Sequence, residues 1–202
     1  MTLMVKDEFS PSAQEIRDRV VAEGFGEEVG PDGFDYTGIN TSPAEPLVEG
    51  VKKIMKDVDV KMSFFRLNLT GEMPHSYVHS DEICADWASL LYLNTPEQTQ
   101  GGTAFWKHKY MGWDRVLTPK EVEAAGLTQQ EFGEGLNLDW KDEKLWDMAG
   151  FIGMKFNRFL IYPTTVFHSR YPHEGFGRDK QDGRLVWVCF FNGKTNNSGR
   201  SA

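Results

Sequence analysis

VKMSFFRLNL, residues 60–69, decides the fold class, because the texture of the chain changes at Val60. From here the apolar residues come in short β-branched and aromatic runs bounded by Gly, Pro, Asn and Asp. Downstream lie SYVHS (76–80), WASLLYLN (87–94), GTAFW (102–106), RFLIYP (158–163), TVFHS (165–169) and RLVWVCFFN (184–192). Such runs suit a pleated, half-buried surface, and their boundaries suit turns. Seven of them predict a sandwich or barrel. Upstream the pattern is helical. SPSAQEIRDRVVAEGFG (10–26) offers Ser10-Pro11, or Ser12 with Glu15, as a start, Ile16, Val20 and Val21 as an apolar edge, and Gly24 as a stop. SPAEPLVEGVKKIMKDVD (42–59) repeats the device, with Ser42 as cap, Pro43 at the first position and a stripe running from Leu47 to Val58.

These readings give one domain over residues 1–202, mainly β with flanking helices. Residues 1–59 form a helical support, 60–192 the strand core, and 107–156 a polar, Trp-containing insert. Helical starts are expected in the insert at Thr118 (TPKEVEAAG) and Asp139 (DWKDEKLWDMAG). The tail GKTNNSGRSA (193–202) reads as a frayed terminus.

With 40 % hydrophobic and 13 % aromatic content, the 202 residues can bury a substantial core. A net charge of −8 argues against nucleic acid as a standing partner, since backbone binding needs clustered Lys and Arg. It leaves room for a local basic pocket that takes a small anion. MTLMVKDEF lacks the features of a secretory leader, and no stretch is long enough to span a bilayer, so no membrane partner is expected. Cys84 and Cys189 have no metal-type spacing and indicate no disulfide framework. The expected setting is a reducing, cytoplasmic one.

Residues 74–82, PHSYVHSDE, carry two histidines four apart and an aspartate two past the second. On a helix, His75 and His79 would share a face and could clamp zinc. On a strand, His79 and Asp81 would point the same way. Pro74 followed by Ser-Tyr-Val is poor helix and good strand, so His75 drops out. The glutamate of a zinc-hydrolase H-E-x-x-H is also missing. H-x-D alone is weak, with roughly 0.35 matches expected by chance in such a composition. An iron site needs two histidines and one carboxylate on one face, leaving positions open for substrate and oxygen. His108, among lysines in WKHKY, reads as a solvated charge. His168 in TVFHS would stand beside the core, and His173 in the following loop is its substitute. Arg184 opens an otherwise apolar strand and needs an anionic partner, for which a carboxylate is natural. Cys84 has no general base in view and reads as inert.

HSD (79–81), LLYLN (90–94), GGTAFW (101–106), RFLIYP (158–163), FHSRYPHEGFG (167–177) and RLVWVCFF (184–191) occur in that order. Together they resemble the non-haem iron(II)/2-oxoglutarate-dependent dioxygenases, most closely the prolyl-4-hydroxylase-like branch. The likeness covers roughly residues 60–106 and 157–192. It implies a double-stranded β-helix (jelly-roll, cupin-like) core. It also implies that His79, Asp81 and His168 ligate Fe(II) as the catalytic centre, that Arg184 binds the distal carboxylate of 2-oxoglutarate, and that Tyr92 donates to the same group. Trp106 and Tyr77 are candidate walls of the substrate pocket, with plain packing the alternative for Trp106. Val186 departs from the pattern, because many relatives carry Ser or Thr two residues after the arginine.

The implied activity is hydroxylation of a small molecule or amino-acid side chain. It would consume O2 and 2-oxoglutarate and release succinate and CO2, with ascorbate a candidate reductant. Asp81 fills the position that a halide would need, which favours hydroxylation over halogenation. The alternative is a catalytically silent, cupin-like metal-binding or interaction module, for which Val186 is the one supporting feature. Trp113, Trp140 and Trp146 in the insert are expected to line a cover that favours a free small molecule; an embellishment packed away from the metal is the other reading.

Overall fold

The structure, a computed structural model, describes residues 2–195. Its strands are β1 (Met4–Lys6), β2 (Gly26–Val29), β3 (Asp35–Asn40), β4 (Met55–Asn68), β5 (Trp87–Tyr92), β6 (Gly102–His108), β7 (Trp146–Gly153), β8 (Phe159–Pro163), β9 (His168–Tyr171) and β10 (Arg184–Thr195). The helices are α1 (Ala13–Glu23), α2 (Glu45–Ile54), α3 (Pro119–Ala124) and α4 (Gln129–Asp139). All strand pairs are antiparallel. They build a seven-stranded sheet, β1-β8-β5-β10-β4-β3-β2, and a three-stranded sheet, β7-β6-β9. The fold is mainly β, as expected. No described helix is long and apolar enough to cross a membrane.

The large sheet is apolar on both faces, and the strand period of two sorts its side chains. Leu185, Trp187, Cys189 and Phe191 of β10 join Leu91 of β5 and Phe159 and Ile161 of β8 on one face. Ile16, Val20 and Val21 of α1 and Leu47 and Val51 of α2 cover that face. Val186 and Phe190 point the other way, with Leu90, Tyr92, Leu160 and Tyr162, and meet Phe105 of the small sheet. The far side of the small sheet packs Ala104, Trp106 and Phe167 against Val122 of α3 and Phe132 and Leu136 of α4. The order of layers is therefore helices, large sheet, small sheet, helices.

Several expected boundaries move. Ser42 does not cap α2; it bonds to Asn40, whose Oδ1 accepts from the Ser42 amide at 2.9 Å, and the helix starts two residues past Pro43. Helix α2 stops at Ile54, and Val58 lies in β4, because the ladder with β10 extends back to Met55. Long-range pairing overrides the local helical stripe there. Asp139 ends α4 rather than starting a helix, while Thr128 and Glu131 form the capping box that opens it. Thr118 caps α3 as expected. TVFHS is strand only from His168, and SYVHS is no strand at all, keeping one isolated bridge between His79 and His168. The β2–β3 hairpin was not expected; its strands are polar, and only the turn signal Pro31-Asp32-Gly33 marks it. Gly193 to Thr195 of the expected tail continue β10, and residues 196–202 lie outside the described residues.

Candidate metal centre and anion pocket

His79 and His168 are joined by backbone rather than by a shared strand face. The His79 amide donates to the His168 carbonyl at 3.1 Å, and the His168 amide donates back at 2.9 Å. That reciprocal pair sets the two rings 4.5 Å apart. Asp81 is placed separately, its amide bonded to the Thr164 carbonyl at 2.8 Å. Thr164 in turn donates its hydroxyl to the Ala85 carbonyl at 2.5 Å, so the loop before β9 holds the loop that carries the aspartate.

The ligating atoms of His79, Asp81 and His168 all lie within 4.8 Å of one another. His168 Nε2 is 3.1 Å from Asp81 Oδ2, and His79 Nε2 is 4.0 Å from Asp81 Oδ1. His168 Nδ1 faces the Val166 carbonyl at 2.9 Å, so Nδ1 donates there and Nε2 is the atom turned to the cluster. Burial alone would lower the His168 pKa, but the Asp81 carboxylate beside it wins and raises it. Burial also penalises the Asp81 anion, yet contact with His168 holds its pKa below the usual carboxylate value. His79, though its ring edge reaches solvent, is pushed down to about 4 by surrounding protein and by His168. Two imidazoles and a carboxylate with one oriented tautomer are a donor set that suits Fe(II). The residues present fit the metal.

The remaining histidines do not join. His75 is exposed and stacks on Phe34 at 4.5 Å. His108, expected to be a solvated charge, is buried: its Nδ1 accepts from the Met111 amide at 3.2 Å and its Nε2 donates to Asp139 at 3.1 Å. His173 stacks on Trp106, with ring centroids 5.8 Å apart. Trp106 and Tyr77, the candidate pocket walls, lie on the side of the small sheet that faces α3 and α4. They belong to the outer cluster behind the small sheet, where Trp106 Nε1 donates to Ser169 Oγ at 2.9 Å and Tyr77 meets His173 edge-on. Trp113, Trp140 and Trp146 sit in the same outer cluster, so the insert backs the small sheet instead of covering the metal group. Cys84 has its thiol pushed up to about 12 by burial and the Asp81 charge, which leaves it unreactive.

A second polar cluster gathers around Arg184, where the charges of Arg66, Arg170 and Glu72 act on one another. Arg184 is 7 % exposed, and its Nη1 donates a long bond to Asn68 Oδ1 at 3.4 Å. Among the described residues no carboxylate is ion-paired with it. Asn94 aligns the strand start that carries it, accepting from the Leu185 amide and donating to the Gly183 carbonyl, both at 2.8 Å. Tyr92 lies on the same inner face, its hydroxyl 2.7 Å from Thr103 Oγ1. Val186 pairs across the sheet with Tyr92 on one side and Arg66 on the other. The hydroxyl missing at Val186 therefore has polar neighbours on both flanks.

Arg66, Glu72 and Tyr162 stand near the candidate site and were missed by sequence reasoning; Arg170 pairs with the same Glu72. Arg66 interrupts an apolar run, FFRLN, just as Arg184 opens one, so the same signal was present. Arg178 has its side chain 92 % exposed and pairs with Asp182. Tyr162 stands 4.9 Å from the His168 ring on the large-sheet side.

Among known proteins, a model of a family of unknown function (DUF6445) matches residues 60–191. No curated protein matches the chain.

Proposed function

Because the chain belongs to DUF6445, whose function is unknown, its activity must come from the site, and we propose that it is an Fe(II)- and 2-oxoglutarate-dependent oxygenase. The observation that carries this reading is the His79–Asp81–His168 group together with a buried Arg184 that has no ion-paired carboxylate among the described residues. A buried guanidinium without a counter-charge is costly, and a dicarboxylate reaching from the metal group to Arg184 would remove that cost.

Strand order supports a jelly-roll core. Counted from β4, with the one-residue bridge at His79 as the second strand, the sheets run 6-3-8-1 and 5-4-7-2. Those are the two Greek-key halves of an eight-stranded jelly roll. The metal, when bound, would supply O2 activation coupled to decarboxylation of 2-oxoglutarate. The chain's own residues do the rest. His79, Asp81 and His168 hold the metal on one side, Arg184 fixes the co-substrate's far carboxylate, and Tyr162 and Phe105 close the floor against water.

The test is succinate release from 2-oxoglutarate with Fe(II), together with the weak charge-transfer absorption of the anaerobic Fe(II)–2-oxoglutarate complex. Arg184→Ala should raise the 2-oxoglutarate requirement at least about tenfold, the loss of roughly 1.5–3 kcal/mol from a hydrogen bond to a charged group, and Arg184→Lys should restore part of it. Metal binding without the absorption band or succinate would favour the silent cupin-like module instead.

A further inference from the structure

Arg184 is not the only cation in the pocket. Arg66 and Arg170 stand beside it, and the carboxylate the three share is Glu72. Glu72 Oε1 already accepts from Arg66 Nη2 at 2.5 Å and Asn68 Nδ2 at 2.8 Å, and lies 3.6 Å from Arg170 Nη1. Arg66 Nη1 is buried with no hydrogen-bond partner. Arg170 is held rigidly, Nε donating to the His173 carbonyl at 2.6 Å and Nη2 to the Glu72 carbonyl at 2.7 Å. Burial and the nearby Arg184 push its pKa down to about 10, so it is a crowded cation, yet one still charged at neutral pH.

Position separates these cations by role. Arg184 shares the depth of the pocket with Tyr92 and Tyr162. Arg170 is two residues past His168 on β9, hence on the same strand face and about 7 Å along it. Arg66 lies over the ring of Tyr36 at 5.4 Å, on the hairpin side. Arg66 and Tyr36 thus pack together on the β2–β3 side. Three guanidiniums less one carboxylate leave a surplus of two charges. A co-substrate's far carboxylate at Arg184 removes one, and one remains at Arg66 and Arg170.

We propose that Arg66 and Arg170 form a second anion site, separate from Arg184, that holds a carboxylate of the substrate, so that the substrate is a small free carboxylic acid. The inference rests on the oxygenase reading for its chemistry, but the anion site itself is testable without turnover. The free Nη1 of Arg66 supplies one donor with no other duty, and Nη1 of Arg170, 3.6 Å from Glu72 Oε1, supplies a second, both charge-assisted. A single remaining charge suits a monoanionic carboxylate better than a phosphate dianion. A carboxylate fixed beside His168 would present the neighbouring carbons of the same molecule to the metal group. An interior residue of a peptide, lacking a free carboxylate, would leave Arg66 Nη1 without a partner.

The experiment uses the full chain loaded with Mn(II) and saturated with 2-oxoglutarate. Free L-amino acids and their carboxamides serve as matched probes, read by the shift in thermal unfolding midpoint and, with Fe(II), by stimulated succinate release. At least one acid should raise the midpoint and stimulate release, while its amide does so at least tenfold more weakly. Arg66→Gln and Arg170→Gln should each erase the acid-over-amide preference, and Arg66→Lys should restore part of it. The exposed Arg178→Gln should leave it unchanged. Because the acid-to-amide ratio is measured in the unaltered protein, misfolding of a variant cannot mask the result. Equal responses to acids and amides, no response to any acid, or a preference that survives both glutamine variants would overturn the second site. Absence of any 2-oxoglutarate effect, with an acid preference still present, would instead sink the oxygenase reading and leave the anion site standing.

Discussion

His79 and Asp81 lie two apart in sequence, but their convergence with His168 does not come from strand alternation. It comes from one backbone bridge and from Thr164 gripping the Asp81 amide. The two histidines share one backbone device and Asp81 has another; because both act through the backbone, a side-chain substitution at one position does limited damage to the others. His79→Ala, Asp81→Ala and His168→Ala should each abolish tight Fe(II) or Mn(II) binding while the far-ultraviolet circular dichroism stays native-like. His75→Ala should leave metal affinity unchanged, because that ring stacks on Phe34 outside the group. Loss of the metal in His75→Ala, with retention in His168→Ala, would sink the assignment. Metal binding should also release protons, because the Asp81 carboxylate raises the His168 pKa and favours the protonated ring, whose proton a metal must displace.

At the scale of elements, β6 is squeezed between two strands, and the pair of glycines at its start explains how. A side chain on Gly101, which has φ +67°, would strike the Tyr171 carbonyl on the β9 side; one on Gly102 would strike the Ile152 carbonyl on the β7 side. Gly101→Ala should therefore destabilise the small sheet by more than the ~1 kcal/mol of an unstrained glycine replacement, and metal affinity should fall with it because β9 carries His168. Unchanged thermal stability and metal affinity in this variant would show that the close approach is not needed. Strand β1 is fastened by Asp7, which accepts from Arg158 Nε at 2.6 Å and Lys155 Nζ at 2.8 Å. Bonds from Arg158 and then Lys155 hold the Asp7 pKa well below the usual value. A depressed carboxylate stabilises the fold above its unfolded pKa, and that contribution disappears as pH falls toward the folded one. Asp7→Asn should lower the unfolding midpoint at pH ~7 and lower it less at pH ~2, where part of the contribution is already lost. An equal loss at both pH values would rule out the charge as the cause.

On the scale of the whole molecule, the family match begins at residue 60, inside β4, and ends at 191, inside β10. These two strands pair from Arg184 with Asn68 to Thr195 with Met55, so both match ends cut one ladder. The matched region also lacks α1 and α2, whose Ile16, Val20, Leu47 and Val51 bury Trp187, Phe191 and Leu91. A fragment of residues 60–191 should thus expose one whole apolar face of the large sheet and aggregate. Size-exclusion chromatography and circular dichroism of that fragment check the point; a monomeric, cooperatively folding fragment would mean the N-terminal helices are dispensable. The insert behaves in the opposite sense to a cover. Its helices seal the outer face of the small sheet, so shortening it should destabilise the fold before it affects access to the metal group.

Local chemistry determined much of this protein by itself. The seven β-branched and aromatic runs announced a mainly β core, Ser12 to Gly24 bounded α1, and Thr118 opened α3, because propensity, turn and cap signals act over a few residues. HSD, His168 and Arg184 stood out because polar groups beside apolar runs need partners. Only tertiary structure decided that β4 reclaims the end of the second helical stripe and that the polar hairpin of residues 26–40 joins the sheet. It also decided that SYVHS contributes one bridge in place of a strand. Each is settled by pairing with residues far along the chain, which no local pattern encodes. The same holds for the pocket. Arg66, Arg170 and Arg184 are separated by 118 residues end to end, and only the register of β4 with β10, and of β9 with β6, brings their charges near one another.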